Sequence, residues 1–89
     1  MFYVYILKSK KDNNLYTGFS SDLKERIKWH KEGKSQATKW RLPIELIYYE
    51  AYKEEKDARK REIFLKSGRG REIIKKQLEN SLKPDLVAK

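Results

Sequence analysis

The sequence predicts a small α+β domain, a three-stranded antiparallel sheet with flanking helices in the order β-β-α-β-α-α. Three short segments are rich in aromatic and β-branched residues, as strands are. The first two flank a polar turn cluster, which is typical of a hairpin. Three charged segments carry apolar residues at helical spacing. A sheet with helices packed on it is the simplest layered arrangement of these elements.

The predicted strands cover 2–8, 15–19 and 44–49. The cluster between the first two contains Asp12, Asn13 and Asn14, residue types that tolerate turn conformations. These two strands should therefore pair directly.

The first helix should begin at Asp22, because Asp22 and Glu25 form a capping-box pattern, and it should stop at Gly33. A basic loop is expected over 34–43. Two further helices are predicted, one from about 54 to Ser67-Gly68 and one over roughly 71–80.

A chain of 89 residues is long enough for one core, so a single domain is predicted over 1–82, with a flexible tail at 83–89. Cys is absent, which excludes disulfides and thiolate metal clusters. No apolar run approaches the roughly 20 residues that a membrane span needs. We therefore expect a cytoplasmic protein without membrane contact.

Charge is distributed in blocks along the chain. Its 22 Lys and Arg against 13 Asp and Glu give a net charge of +9. Segments 21–41 and 58–79 are strongly basic, whereas 42–57 is acidic. Two basic blocks of this kind favour a polyanionic partner, nucleic acid above all. Surplus Lys for solubility is the plainer alternative.

Aromatic residues cluster on the first two predicted strands. A short hairpin would bring Tyr5 and Tyr16 close together, with Tyr3 nearby. Cross-strand aromatic pairs also stabilise sheets without any functional role, so the pair alone decides nothing. Gly18 marks either a close approach to the strand or a simple bend before the next helix.

One face of the first helix combines apolar and polar residues. Leu23, Arg26, Ile27 and His30 follow the spacing i, i+3, i+4 and i+7. A guanidinium suits paired donation to phosphate, and an imidazole can exchange a proton near neutral pH. A single histidine at a helix edge is nevertheless more often structural.

Glu62 interrupts the apolar stripe formed by Ala58 and Leu65 on the second helix. Burying an unpaired carboxylate is costly, so Glu62 requires a cation. That cation is either a basic side chain or a metal ion, since one carboxylate with waters and phosphate is a common way to hold Mg²⁺.

Together these residues resemble the GIY-YIG nuclease family. The residues that carry the resemblance are Tyr3-Val4-Tyr5, Tyr16-Thr17-Gly18, Arg26, His30 and Glu62. They cover about residues 2–78 and are similar to the small bacterial single-domain members and to the N-terminal nuclease module of the bacterial repair excinuclease. Tyr3, Val4 and Thr17 depart from the family triplets, replacing Gly, Ile and Ile.

The resemblance implies a one-metal phosphodiester hydrolase. Glu62 would hold one Mg²⁺ or Mn²⁺ ion, and Arg26 would brace the scissile phosphate. Tyr5 or Tyr16, with His30, would orient and deprotonate the attacking water. A tyrosine in that role needs a lowered pKa.

Nucleic acid, with DNA favoured, should contact the basic blocks mostly through phosphate. The predicted contact residues are Gly18, Lys24, Lys28, Lys34, Lys39, Arg41, Lys66, Arg69 and Arg71, joined by Lys31, Arg59 and Lys60. Trp29 and Trp40 could stack on unpaired bases. A place against the core is favoured for Trp29 and left open for Trp40.

The predicted function is a metal-dependent endonuclease that hydrolyses DNA phosphodiester bonds in repair or recombination. The alternative is a non-catalytic nucleic-acid-binding module of the same fold. A pure binder has no need for a carboxylate that repels phosphate, which favours the enzyme. The 89 residues carry no separate DNA-binding domain, so a protein partner could supply target specificity.

Overall fold

A computed structural model of the chain describes residues 1–83. Its elements are β1 (Phe2–Ser9), β2 (Leu15–Ser20), α1 (Leu23–Lys31), a 3-10 turn (Lys39–Arg41), β3 (Ile44–Tyr52), α2 (Glu55–Lys66) and α3 (Gly68–Gln77). The strands form one antiparallel sheet in the order β2-β1-β3. The predicted fold class and element order are confirmed. The tail predicted at 83–89 lies outside the described residues, apart from Lys83.

The central strand β1 buries both of its faces. Val4 and Ile6 face the core formed with α2 and α3. Tyr5 and Leu7 face a second core, which α1 and the loop before β3 cover. Since alternate residues of a strand point to opposite faces, β1 lies between two layers of cover. None of the helices within residues 1–83 is long and apolar enough to cross a bilayer.

The loop between α1 and β3 is fastened to the β1–β2 hairpin. Ser9 Oγ donates a hydrogen bond of 2.6 Å to the carbonyl of Arg41. The backbone N–H of Lys10 donates to the carbonyl of Pro43 at 2.8 Å. These bonds hold the loop against the sheet, and Thr38 is buried inside it with 1% of its surface exposed.

β3 continues to Tyr52, three residues beyond the predicted end. The predicted strand stops before Glu50, a residue type that is depleted in strands. Glu50 is accommodated because Arg61 on α2 donates to both of its carboxylate oxygens, at 3.0 and 3.1 Å from Nε. The hydroxyls of Tyr48 and Tyr52 also donate to Glu50.

α3 begins at Gly68, three residues before the predicted start. The glycines suggested a break, but Ser67 caps the helix by accepting a bond of 3.1 Å from the Gly70 N–H. A Cβ at Gly70 would collide with the carbonyl of Phe64, so this glycine permits close packing of α3 on α2. The predicted stop of α1 near Gly33 is confirmed, since Gly33 has a φ of 76°.

Candidate active site

A buried phenol lies at the centre of the candidate site. Tyr5 is 1% exposed, and its hydroxyl is 2.7 Å from Nε2 of His30 on α1. Gly18 lies directly opposite Tyr5 on β2. A Cβ at Gly18 would collide with the ring and hydroxyl of Tyr5. The close approach at Gly18 is therefore made by the Tyr5 side chain.

His30 links the phenol to the loop. It is 1% exposed, and its Nδ1 is 2.8 Å from the hydroxyl of Thr38. A neutral imidazole offers one N–H donor and one acceptor. Either Tyr5 donates to Nε2 while Nδ1 donates to Thr38, or both bonds run in the opposite direction. Both arrangements satisfy every polar atom of the chain from Tyr5 through His30 to Thr38.

Tyr16 stands beside this hydrogen-bonded chain. Its ring centroid lies 5.3 Å from that of His30 and 6.4 Å from that of Tyr5. Tyr16 is opposite Leu7 in the β1–β2 pairing, two residues along β1 from Tyr5. The structure thus brings the two tyrosines together. Tyr16 is only half-buried, so it is the more accessible of the two phenols.

Burial is the main cause of the pKa shifts of Tyr5 and His30. Burial raises the pKa of Tyr5, as do Tyr16 and Glu62, and Arg26 offsets only part of the rise. A tyrosine acting as base was expected to have a lowered pKa, and Tyr5 departs from that expectation because its hydroxyl is cut off from water. Burial, with a smaller effect from Arg26, lowers the pKa of His30 to about 4. At neutral pH both side chains are therefore uncharged.

Two opposite charges act on the pKa of the buried phenol. The positive charge of Arg26 lowers the pKa of Tyr5, and the negative charge of Glu62 raises it. Arg26 is exposed on α1 and its guanidinium carbon lies 4.7 Å from the centre of the Trp29 ring. The Trp29 ring contacts His30 at a centroid distance of 5.2 Å. Arg26 thus packs on Trp29, and Trp29 in turn packs against His30.

Glu62 lies on α2, which packs against β2. Arg59, three residues earlier, lies over the Phe19 ring of β2 at 3.7 Å from its centroid. Residues three apart share a helix face, so Glu62 also faces β2. Its side chain is 14% exposed and pairs with Lys66 at 3.0 Å and Arg59 at 3.5 Å.

The carboxylate of Glu62 is chemically suited to a divalent cation. Hard cations of this class take oxygen ligands, and Mg²⁺ is often bound by one or two carboxylates, with water and phosphate completing the shell. Within residues 1–83, no three His, Cys, Asp or Glu side chains gather into a metal-binding group. A cation at Glu62 would therefore have fewer than three such side chains as ligands within these residues. Its two basic partners lie on its own helix and are about half exposed, so those pairs are weak competitors.

A basic groove of about 310 Å³ opens beside Tyr16. Its three cations come from the loop, α2 and α3, namely Arg41, Lys66 and Arg71. Three separate elements thus place positive charge around one phenol. These are three of the predicted nucleic-acid contacts, and the fold gathers them beside the candidate site.

The other predicted contacts lie elsewhere. Lys24, Lys28 and Lys31 line a separate groove between α1 and β3. Lys34 pairs with Glu32 at 3.1 Å. Lys39 lies 5.0 Å from the centre of the Trp40 ring, which is 75% exposed. The residues Lys60 and Arg69 are exposed outside both grooves. Sequence reasoning missed Thr38, because a threonine in a polar loop gives no signal of its partner.

Comparisons with known proteins identify the family of this chain. The family model described as "GIY-YIG catalytic domain" matches residues 1–82. A UPF0213 protein of Clostridium perfringens is 43% identical over 67 residues, 74% of this chain and 71% of its own. A UPF0213 protein of Staphylococcus haemolyticus is 42% identical over 66 residues, 73% of this chain and 79% of its own.

A solved structure has the same fold. The solution NMR structure of a UPF0213 protein from Bacillus halodurans matches with a TM-score of 0.55 at 36% identity. The match covers 86% of this chain and 85% of that chain. Since the family match spans nearly the whole described chain and the relatives share both sequence and fold, this chain belongs to the GIY-YIG nuclease superfamily.

Proposed function

We propose that this chain is a divalent-metal-dependent endonuclease that hydrolyses DNA phosphodiester bonds, acting in repair or recombination on branched, nicked or damaged DNA. The observation that supports the proposal is the link between Glu62 and the basic groove: Glu62 pairs with Lys66, and Lys66 lines the groove beside Tyr16 with Arg41 and Arg71. Arg26 on α1 and Glu62 on α2 also act on the pKa of the Tyr5 phenol with opposite sign. A guanidinium and a carboxylate near one polar centre would suit a phosphate and its counter-cation.

Arg26 would bind the scissile phosphate. Its guanidinium is exposed and lies over the Trp29 ring, and it forms no ion pair within residues 1–83, so its donors can serve a phosphate. A preorganised cation stabilises the charge that builds on phosphate oxygens during attack. Arg41, Lys66 and Arg71 would hold neighbouring phosphates in the groove beside Tyr16.

Tyr16 is the better candidate for orienting the attacking water. It is half-buried beside the basic groove, whereas the Tyr5 hydroxyl is enclosed and bonded to His30. We assign Tyr5 and His30 the supporting role of a neutral hydrogen-bonded chain ending at Thr38. These three hydrogen-bonded side chains would make the buried part of the site polar without placing a further charge next to the phosphate.

Glu62 would hold one Mg²⁺ or Mn²⁺ ion. When bound, such an ion supplies Lewis-acid polarisation of the phosphoryl group and stabilises the leaving oxygen. Glu62 itself contributes a carboxylate held beside β2 by the packing of Arg59 on Phe19.

A non-catalytic nucleic-acid-binding module of the same fold is the second candidate. One observation favours it: both carboxylate oxygens of Glu62 already have basic partners, Lys66 and Arg59. In such a protein Glu62 would serve only to order α2.

The two candidates differ in the effect of Glu62→Gln. We expect this variant to lose at least about a hundredfold in cleavage of labelled duplex, flap and single-stranded DNA with Mn²⁺, because the loss of one key charge-stabilising interaction has that magnitude. Its DNA affinity without metal should be unchanged or slightly higher, since a negative charge has been removed. The measurements are gel-resolved cleavage and fluorescence anisotropy.

Glu79→Gln is the matched control, because Glu79 is an exposed glutamate just after α3 and has no ion pair within residues 1–83. It should cut like the parent protein. Equal weak nicking by the parent and by Glu62→Gln would indicate contamination and would support the binding module.

A further inference from the structure

A second groove lies on the opposite side of α1 from Arg26. It has a volume of about 770 Å³ and runs between α1 and β3, and we call it the α1–β3 groove. Its lining residues are Tyr3, Ser21, Asp22, Leu23, Lys24, Ile27, Lys28, Lys31, Glu32, Leu46 and Tyr49. Its size is that of a ligand-binding cleft rather than a packing defect.

The floor of the groove is aromatic. Tyr3 and Tyr49 meet edge to face, with ring centroids 6.1 Å apart and planes at 64°. Tyr49 is 53% exposed, which is unusual for a large aromatic residue on a sheet face that is otherwise covered. Tyr49 lies opposite Tyr5 in the β1–β3 pairing, so this floor adjoins the candidate site across a single strand spacing.

The rim of the groove is basic. Lys24, Lys28 and Lys31 lie at i, i+4 and i+7 on α1 and span about 10 Å along the helix. None of them has an acidic partner within ion-pair distance in the described part of the chain. Of the two acids in the lining, Glu32 pairs with Lys34, which leaves Asp22 as the opposing charge.

We propose that the α1–β3 groove binds an unpaired nucleic-acid strand, with bases stacked on Tyr49 and Tyr3 and phosphates on the three lysines. Aromatic side chains bordered by cations are the combination that single strands require. Bases inside a duplex are already stacked on one another, so only unpaired bases are free to stack on Tyr49. The groove therefore selects the single-stranded arm of a branched substrate.

A path joins this groove to the candidate site. Ser21 and Asp22 line both the α1–β3 groove and a shallower pocket of about 370 Å³ that contains Arg26 and Trp29. A strand leaving the tyrosine floor can pass the start of α1 and reach Arg26. The inference about arm selection rests on the proposed nuclease function, whereas strand binding does not.

The test is anisotropy with a labelled oligothymidylate of about 12 nucleotides in EDTA, where no cleavage contributes. Tyr49→Ala should weaken binding by about 5- to 100-fold, the range that one lost stacking contact gives. Tyr49→Phe should bind like the parent protein, because the ring is retained. Binding of a blunt duplex should change less than about twofold for either variant.

Ile63→Ala is the control, because Ile63 is a large apolar residue that is 71% exposed on α2, outside the groove, and its variant should bind like the parent protein. If Tyr49→Ala proves poorly folded in a thermal melt, Lys24→Ala/Lys28→Ala tests the same groove through its exposed rim and should also weaken single-strand binding.

Several results would overturn the groove assignment: no single-strand binding by the parent protein, equal losses for Ile63→Ala and Tyr49→Ala, or unchanged binding by the groove variants. A change of oligomeric state in Tyr49→Ala, with single-strand affinity intact, would identify the groove as a protein interface instead. Selective loss in Tyr49→Ala together with no cleavage difference for Glu62→Gln would leave the groove standing and remove the nuclease proposal.

Discussion

Tyr5, His30 and Thr38 join β1, α1 and the following loop through two hydrogen bonds of 2.7 and 2.8 Å. A neutral imidazole gives one hydroxyl an acceptor and the other a donor, whereas a protonated imidazole would donate to both hydroxyls and place a positive charge in a buried position. The cost of burying that charge favours the neutral state. Burial enforces this state by lowering the pKa of His30 to about 4. A single residue thus couples the order of the site to pH.

The sign of this coupling follows from the two pKa values. The folded value of about 4 lies below the ordinary 6.5, so the unfolded chain binds more protons between these values. The stabilising effect of His30 is complete above about pH 6.5 and is lost as pH falls toward 4. We expect the parent protein to lose about 3 kcal/mol more of its unfolding free energy than His30→Gln between pH 7 and pH 4.

Urea unfolding of both proteins at the two pH values measures this difference. Because His30 is the only histidine in the sequence, its imidazole signals in NMR are unambiguous. A titration midpoint near 6.5 in the folded protein would contradict the burial argument.

The residues of the site were only partly predictable. The hairpin pattern indicated that Tyr5 and Tyr16 would be close, because a short turn fixes the pairing of its strands. It could not indicate which phenol is enclosed, since that depends on where α1 and the loop lie. The need for a lowered pKa was therefore assigned to both tyrosines, although burial raises the pKa of Tyr5.

Two consecutive polar residues of α2 point toward the two opposite edges of the sheet, β3 and β2. Arg61 reaches Glu50 on β3, whereas Glu62 faces β2. Adjacent helical residues are about 100° apart, so fixing the direction of one fixes the other. The Glu50–Arg61 pair thereby sets the rotation of α2 and orients Glu62.

Burial alone would raise the pKa of Glu50, but bonds from Arg61, Tyr48 and Tyr52 outweigh it and hold the pKa below its ordinary value. Glu50 therefore stabilises the fold above its unfolded pKa, and the effect is lost as pH falls through the folded value. We expect Glu50→Gln to cost about 2–4 kcal/mol of unfolding free energy, because Arg61 is left without its anion in a largely buried position.

Chemical denaturation measures this cost, with Glu45→Gln on the same strand as control, since Glu45 has no ion pair within residues 1–83. The double variant Glu50→Gln/Arg61→Gln should recover part of the loss. Equal stability of the Glu50 and Glu45 variants would show that the pair contributes nothing.

Element boundaries were predictable where local chemistry decided them. Asp22 and Gly33 were correctly placed at the ends of α1, because a cap and a left-handed residue act within one turn. β3 and α3 were misjudged where distant partners decided. Glu50 is tolerated in a strand only because Arg61 meets it, and Gly70 is needed in a helix only because α2 packs there.

At the scale of the whole molecule, cations of the two basic blocks line two separate grooves. Lys24, Lys28 and Lys31 line the α1–β3 groove, and Arg41, Lys66 and Arg71 line the groove beside Tyr16. The sequence indicated that the basic blocks would bind a polyanion. It could not divide Lys24 and Lys28 from Arg41 in the same basic block, because only the folded chain places them in different grooves. The fold thus converts two linear blocks into two differently shaped surfaces.

Duplex binding should depend steeply on salt. With roughly six phosphate contacts, affinity should fall by about a thousandfold between about 50 and 200 mM monovalent salt. Anisotropy in EDTA measures the slope, and Arg41→Ala should reduce it by about one unit. An affinity that stays constant over this range would contradict phosphate binding by the basic surfaces.

β1 is hydrogen-bonded on both sides and covered on both faces. Tyr5 therefore sits on the strand that is exposed last when a small protein opens locally, since frayed ends and edge elements open first. Partial opening of the molecule leaves this phenol in place. We therefore expect the packing around Tyr5 to be lost only when the whole protein unfolds.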